Sequence, residues 1–333
     1  CEITPLGYHL AALPINPRIG KLILYGVLLH CIDPILTIAS TESVKSVFTS
    51  PFGAKELADD AKLRFLEGNS DLLTSAHAFS TWKSQYDCPA GSRSESGVGR
   101  AERGGEKKYG GSGAMTEGEF CRSNFLSMNS LRLVNQMRQQ FLSLLKDIGF
   151  MPQSVNLSNI AQSLQNANGS HIGITKCAIC AGLSPNILQV PDLNGKNAGK
   201  RLADITLQSR TQGPMKVHPS SVMSDSKYLD SGYVVYLEAM RTSQVYVRDV
   251  TTIPALALAM FSGRTKVNPY NGAVVVDGWL RFRTTNIKTS QCIARVRDSM
   301  EDAFMQKVLD PSSDTSAQWS SVLQCVEKTM SPV

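Results

Sequence analysis

Between residues 200 and 300 the chain carries twice as many Lys and Arg as Asp and Glu, and this excess is the first chemistry its residues offer. Localised positive charge favours a polyanionic partner, because neutralising phosphates releases their counterions. Inside that stretch Lys216, His218, Ser220 and Ser221 lie in and after one short strand-like run, and Arg241, Thr242 and Ser243 occupy a turn between two others. Arg and small hydroxyl side chains at such places can hydrogen-bond phosphate oxygens with little steric hindrance, and the same hydroxyls can instead organise the turns. Arg248 and Asp249 read as structural partners of their neighbours on a strand. Cys177-Ala-Ile-Cys180 has the spacing of a metal or redox pair. It sits, however, in an apolar helical stretch with no second Cys-x-x-Cys or His-x-x-x-His to complete zinc spacing, which points to packing. His9, His30, His77, His171 and His218 are isolated, and no Ser/His/Asp or Cys/His pattern assigns a catalytic residue or a metal ligand.

What must position these groups is read from the rest of the chain. Its 333 residues, 42% of them hydrophobic, suffice for two or three cored modules. The longest apolar run, 21–30, is too short for a membrane span and reads as a buried helix, so no membrane role is expected. Opening on Cys1, with neither an initiator Met nor a leader pattern, suggests a piece of a longer protein. Eight scattered Cys lack the spacing of a disulfide scaffold, which points to an intracellular, reducing compartment, cytoplasmic rather than nuclear.

Asn16-Pro17 reads as an N-cap and first helical residue, followed by Ile19, Leu22, Ile23, Val27 and Leu28, apolar nearly all round. Asp33-Pro34 repeats that arrangement before Ile35, Ile38 and Ala39. Further helices are expected over 54–66, after Ser70, from a cap at Asn129 or Ser130 to Gly149, and over 171–181 with a stop at Gly182. Residues 93–118, rich in Gly, Ser, Arg and Glu, cannot bury a core and read as a disordered insertion. Beyond 215 the period changes to two: 215–222, 232–240, 243–250 and 272–282 are short β-branched or aromatic runs between turn residues, the strands of a small barrel. Trp279 and Phe282 fall on the last run, as barrel core or, for Trp279, partly exposed. A final helix over 290–309 stops before Pro311.

Several segments, taken in order, resemble the C-terminal part of DEAH/RHA-type DExH-box RNA helicases, and the RHA-like branch most. Residues 4–21 look like the end of the winged helix and the first ratchet helix, and Asp33-Pro-Ile-Leu-Thr-Ile-Ala39 like the next ratchet element. Phe48-Thr-Ser-Pro-Phe52, Asn69-Ser-Asp-Leu-Leu-Thr74, Phe120-Cys-Arg-Ser-Asn-Phe-Leu-Ser127 and Arg138-Gln-Gln-Phe141 are similar to segments of the helicase-associated region. Ile179–Ile187 resembles the lead-in to an OB-fold, and Val217-His-Pro-Ser-Ser-Val222, 240–251, Met260-Phe-Ser-Gly263 and Val276-Asp-Gly-Trp-Leu-Arg-Phe282 resemble its signature. The likeness covers about residues 3–310, interrupted by the 93–118 stretch. Neither a Gly-x-x-x-x-Gly-Lys-Ser/Thr phosphate loop nor an Asp-Glu-x-His element occurs, so both RecA-like ATPase domains fall outside this sequence.

The resemblance implies an α+β chain: an N-terminal helical bundle followed by a small antiparallel β-barrel, the OB-fold, with a C-terminal helix. Its divisions would be 1–24 (end of winged helix and first ratchet helix), 25–190 (ratchet domain), 200–310 (OB-fold) and 311–333 (a helical or disordered tail). It implies an RNA-binding part of an ATP-dependent 3′–5′ RNA helicase, with no cofactor in this chain and with ATP and magnesium in the missing RecA domains. The implied partners are single-stranded RNA, the RecA-like domains of the same polypeptide, and protein cofactors docking on the OB-fold. The barrel positions Lys216, His218, Ser220, Ser221, Arg241, Thr242 and Ser243 would border the RNA path. Arg122, Asn124 and Ser130 would face the strand from the ratchet side, with capping as the other reading for Ser130. A non-catalytic RNA-binding or protein-docking adaptor built of the same modules is the alternative.

Overall fold

Thr4 accepts from the Gly7 amide and Pro5 follows it, so the chain opens on a capped, proline-primed helix, α1 (Pro5–Ala12). The computed structural model describes residues 3–13, 15–86, 115–268, 270–313 and 316–330. Asn16 caps α2 (Pro17–Leu28) as the sequence predicts, and Leu22, Ile23, Leu24, Val27 and Leu28 are all buried. Two close approaches let α2 be walled on several sides. A Cβ on Gly182 of α8 (Ile172–Leu183) would lie 2.6 Å from the Leu22 Cβ, and one on Gly26 would lie 2.8 Å from the Ile35 Cγ2 of α3 (Ile32–Glu42). Gly182 therefore does not stop α8 as expected; it sits inside the helix, where any side chain would push α2 away.

Asp33 is likewise no cap. Helix α3 begins one residue earlier, at Ile32, and the Asp33 carboxylate instead pairs with Arg138, a buried guanidinium on α7 (Met128–Asp147) that also donates to the Thr37 hydroxyl at 2.6 Å. Ser127, rather than Asn129 or Ser130, caps α7, accepting from the Ser130 amide. Helix α4 (Lys55–Leu63) is followed by Phe65, which joins α5 (Asp71–Tyr86), α6 (Glu117–Ser123) and α7 in a second apolar cluster around Phe79, Trp82, Phe120 and Leu131. A reciprocal capping box between Thr116 and Glu119 starts α6, so the 93–118 stretch is ordered at its end; the rest of that expectation lies outside the described residues apart from Met115.

The barrel is closed in the order β1 (Ile187–Gln189), β2 (Leu207–Ser209), β3 (Pro214–Val217), β5 (Val245–Thr252), β4 (Tyr233–Arg241), with β3 and β5 parallel and the other pairs antiparallel. Its first strand precedes the boundary at 200, because the short strand after α8 is needed to bridge β2 and β4. The run 272–282 is not a barrel strand. It supplies β7 (Val274–Val276) and β8 (Leu280–Phe282), which with β6 (Thr265–Val267) form a separate three-stranded sheet after the short α9 (Ala255–Phe261). Trp279, half-buried in the β7–β8 turn, packs against the core of the helical domain instead of the barrel interior.

Helix α10 (Ile287–Leu309) lies along α9, α2 and α1, where His9 Nε2 meets the Val308 carbonyl at 2.8 Å, and α11 (Ser316–Met330) folds back on α8 with Leu323 and Val326 buried. Among the described residues of the 311–333 tail, Ser316–Met330 are helical. Cys177 and Cys180 are fully buried, and among the described residues no group of His, Cys, Asp or Glu could hold a metal ion. No described helix is long and apolar enough to cross a membrane.

Candidate nucleic-acid interface

Alternation along the strands sorts the barrel's cations from its core. Met215, Val217 and Val247 point inward and are buried, so Lys216 and His218 at the end of β3 and Tyr246 and Arg248 on β5 share the outer face. Lys216 is opposite Tyr246, Arg248 is opposite Glu238 of β4, and the His218 ring meets Tyr246 edge-on at 5.7 Å and Arg248 at 3.4 Å. Ser220 is exposed and bonds the His218 Nδ1 at 2.7 Å. Burial first, then the charges of Arg248 and Lys55, holds the His218 imidazole below its ordinary value, so at neutral pH it adds a ring and an uncharged polar edge to the face.

Ser221, predicted beside these residues as an RNA contact, is buried. Its hydroxyl donates to Asp71 Oδ2 at 2.6 Å, and the Val222 and Val250 amides donate to the same carboxylate at 2.8 and 3.0 Å. Ser70 adds a hydroxyl contact to Thr251 at 2.6 Å, and the Thr252 amide reaches the Asn69 carbonyl at 3.0 Å. The start of α5 is thereby fastened to β5 and to the loop after β3.

Arg241, Thr242 and Ser243 occupy the exposed tip of the β4–β5 hairpin, three pairs along the ladder from Arg248. That offset is roughly 10 Å at strand rise, a separation of one to two nucleotides of extended strand. Thr242 donates both its amide, at 2.9 Å, and its hydroxyl, at 3.4 Å, to the Gln244 carbonyl and so closes the turn, while the Arg241 and Ser243 side chains are exposed.

Arg122 and Asn124 lie at the α6–α7 turn, which pairs with the loop before α4 through Phe48 and Leu126. Asn124 turns its amide back onto the Phe120 carbonyl at 3.0 Å, and Ser130, half-buried, is not the cap of α7 but gives its backbone amide to the capping Ser127 hydroxyl. Arg122 is exposed. Lys62 of α4, unremarked in the sequence, links the groups: its Nζ donates to the Ser220 carbonyl at 2.9 Å and stands 5.3 Å over the Phe48 ring. No single-sequence signal marks Lys62 or Tyr246, since their place depends on how strands and helices pair.

Behind this face is a cavity of about 440 Å³ lined by Glu42, Lys62, Asp71, Glu238, Arg248 and Asp249, among others. Arg248 Nε is buried there without a hydrogen-bond partner among the described residues. Burial, then Asp71 and Glu238, lifts the Asp249 carboxyl from 3.8 to about 6, and burial, then Asp249, Asp71 and Glu238, raises Glu42. A carboxyl raised on folding contributes stability below its unfolded value and loses it as pH rises through the folded one. Asp249 also sits at φ 54°, where Asn is well tolerated. Asp249→Asn should therefore raise stability at neutral pH by about 1–2 kcal/mol and leave it unchanged near pH 4. Urea melts across that window check this; an equal gain at both pH values would remove the carboxyl as the cause.

Three family profiles match the chain. Residues 16–75 match the helicase associated domain (HA2), ratchet-like; 175–265 the oligonucleotide/oligosaccharide-binding (OB)-fold; and 272–331 the C-terminal domain in RNA helicases. Their order defines the class, the helicase-associated region of an RNA helicase. Among curated relatives, the chain is 34% identical over 328 residues to the DExH-box ATP-dependent RNA helicase DExH1 of Arabidopsis thaliana, 98% of this chain and 29% of that protein. It is 32% identical over 339 residues to the putative ATP-dependent RNA helicase DHX57 of Mus musculus, 94% of this chain and 23% of that protein. It is also 30% identical over 332 residues to the ATP-dependent DNA/RNA helicase DHX36 of Homo sapiens, 98% of this chain and 30% of that protein. The chain belongs to the DExH-box RNA helicases, as a C-terminal region of one, and spans less than a third of the length of these relatives.

Proposed function

We propose that the chain holds single-stranded RNA for an ATP-dependent 3′–5′ helicase motor carried elsewhere in the same polypeptide. The observation that carries this reading is the outward group of Lys216, His218, Tyr246 and Arg248, flanked by Lys55 and Lys62 of α4, with the exposed Arg241 beyond it at the hairpin tip. Cations at that spacing meet successive phosphates, while Tyr246 and His218 offer ring faces and edges to bases. ATP and magnesium would be bound by RecA-like domains, because these residues contain no phosphate loop to hold them. Within such a machine the barrel and ratchet helices would border the RNA channel, and the Asp71 junction would pass motor movements from helices to barrel. Protein cofactors docking on the OB-fold belong to the same proposal, and the free thiols of Cys31, Cys177 and Cys180 suit a reducing, cytoplasmic setting.

The test is binding of a fluorescent oligouridine to the chain at rising salt. A steep loss of affinity is expected, and Arg241→Ala should weaken binding by about 1 kcal/mol and make the logarithmic salt slope shallower by about 0.7, one phosphate contact fewer, without shifting the thermal midpoint. A flat salt response would favour a protein-docking barrel and sink the proposal.

A further inference from the structure

A second cavity, about 740 Å³, opens between α2, α10, the α9–β6 loop and the β7–β8 turn. That is within the roughly 300–1,000 Å³ of small-molecule sites. Its walls carry Lys21, Arg210, Arg264, Lys266 and Arg297 against Asp277 and Glu301, a surplus of three positive charges, and it shares no lining residue with the cavity behind the barrel face.

Both carboxylates are already engaged. Asp277 Oδ1 accepts the Arg264 amide at 2.7 Å and stands 3.9 Å from Arg210, while Glu301 is 3.6 Å from Arg297. Arg297, its side chain only 13% exposed, is braced by donating to the Ser262 carbonyl, which fixes a guanidinium at the cavity wall at considerable desolvation cost. Lys21 lies 5.8 Å over the Tyr25 ring, and Tyr25 is itself stacked on Phe304 at 4.2 Å, so this wall is rigid. Met260, Phe261 and Met300 add apolar surface beside the cations.

We infer that this cavity binds a free phosphorylated small molecule of mononucleotide size, its phosphate held by Arg264, Lys266 and Lys21 against the braced Arg297 and its organic body against Met260, Phe261 and Tyr25. Forked guanidiniums and ammonium donors match phosphate oxygens, and the apolar wall distinguishes an organic phosphate from a bare ion. The inference rests on this cavity alone and stands or falls separately from the strand-holding reading.

Calorimetric titration of the 333-residue chain with adenosine 5′-monophosphate, pyrophosphate and adenosine tests it. The monophosphate should bind saturably and at least about tenfold tighter than adenosine, with pyrophosphate between them. The exposed pair Arg264→Ala/Lys266→Ala should lose about tenfold or more, and so should Lys21→Met, which removes a desolvated ammonium and leaves the fold intact. Arg241→Ala should bind the monophosphate as the parent does. Equal affinity for adenosine, unchanged binding in both variants, or displacement of the monophosphate by oligouridine would overturn the assignment.

Discussion

Asp71→Ala is expected to cost about 3–5 kcal/mol and to loosen the barrel from the helices before either unfolds. The carboxylate is fully enclosed and satisfies three donors from two separate segments, the Ser221 hydroxyl and Val222 amide after β3 and the Val250 amide on β5. Truncation leaves two backbone amides buried without acceptors, each worth about 1–3 kcal/mol, and opens a hole where the side chain was. Asp71→Asn should lose about half as much, since its one carbonyl oxygen in the place of Oδ2 can still accept from Ser221 and Val250 while its amide opposes the Val222 amide. Burial raises the Asp71 carboxyl despite Lys62 and these donors, so the Asn variant should suffer less as a charge change than as a lost acceptor. Hydrogen exchange locates the effect: Val222 and Val250 should exchange faster in Asp71→Ala while the α2 and α8 amides keep their protection. Uniform acceleration throughout the chain would show that the junction has no local role.

Arg138→Met is the second large effect, a loss of about 3–5 kcal/mol in the helical domain. Arg138 is buried beneath α3, bonded to Asp33 and Thr37 and lying 5.2 Å over the Phe79 ring, while the Asp33 side chain keeps 29% of its surface in solvent. Removing the guanidinium strands a half-buried carboxylate in an apolar setting, while the Thr37 hydroxyl loses one donor and keeps its own bond to the Asp33 carbonyl. Adding Asp33→Ala to Arg138→Met should restore part of the loss, because the pair together costs desolvation that neither residue repays alone. Chemical denaturation of the two single variants and the double closes the cycle. Strictly additive losses would mean that the two side chains do not support one another.

The fold was legible where local rules govern. Asn16-Pro17 announced α2, period-two runs announced the barrel strands that pair along the β4–β5 hairpin, and the ordered motifs announced the helicase-associated region with its OB-fold. It was illegible where partners lie far along the chain. Asp33 looks like a cap until Arg138, 105 residues later, is brought beside it, and Gly182 looks like a stop until α2 presses on it. Run 272–282 has strand periodicity, but periodicity cannot say which sheet a strand joins. At the site, type and position single out Lys216, His218 and Arg241, none of them buried, whereas Ser221 beside the exposed Ser220 turns its hydroxyl inward, toward Asp71, which no local pattern marks.

Helix α10, about 34 Å long at helical rise, touches α1, α2, α9, α11 and β6, and its last turn receives His9. It acts as a splint. Because α1 is pinned to the far end of that splint, a pull on the first residues stresses Val308 and the α10–α11 corner before it strains any barrel strand.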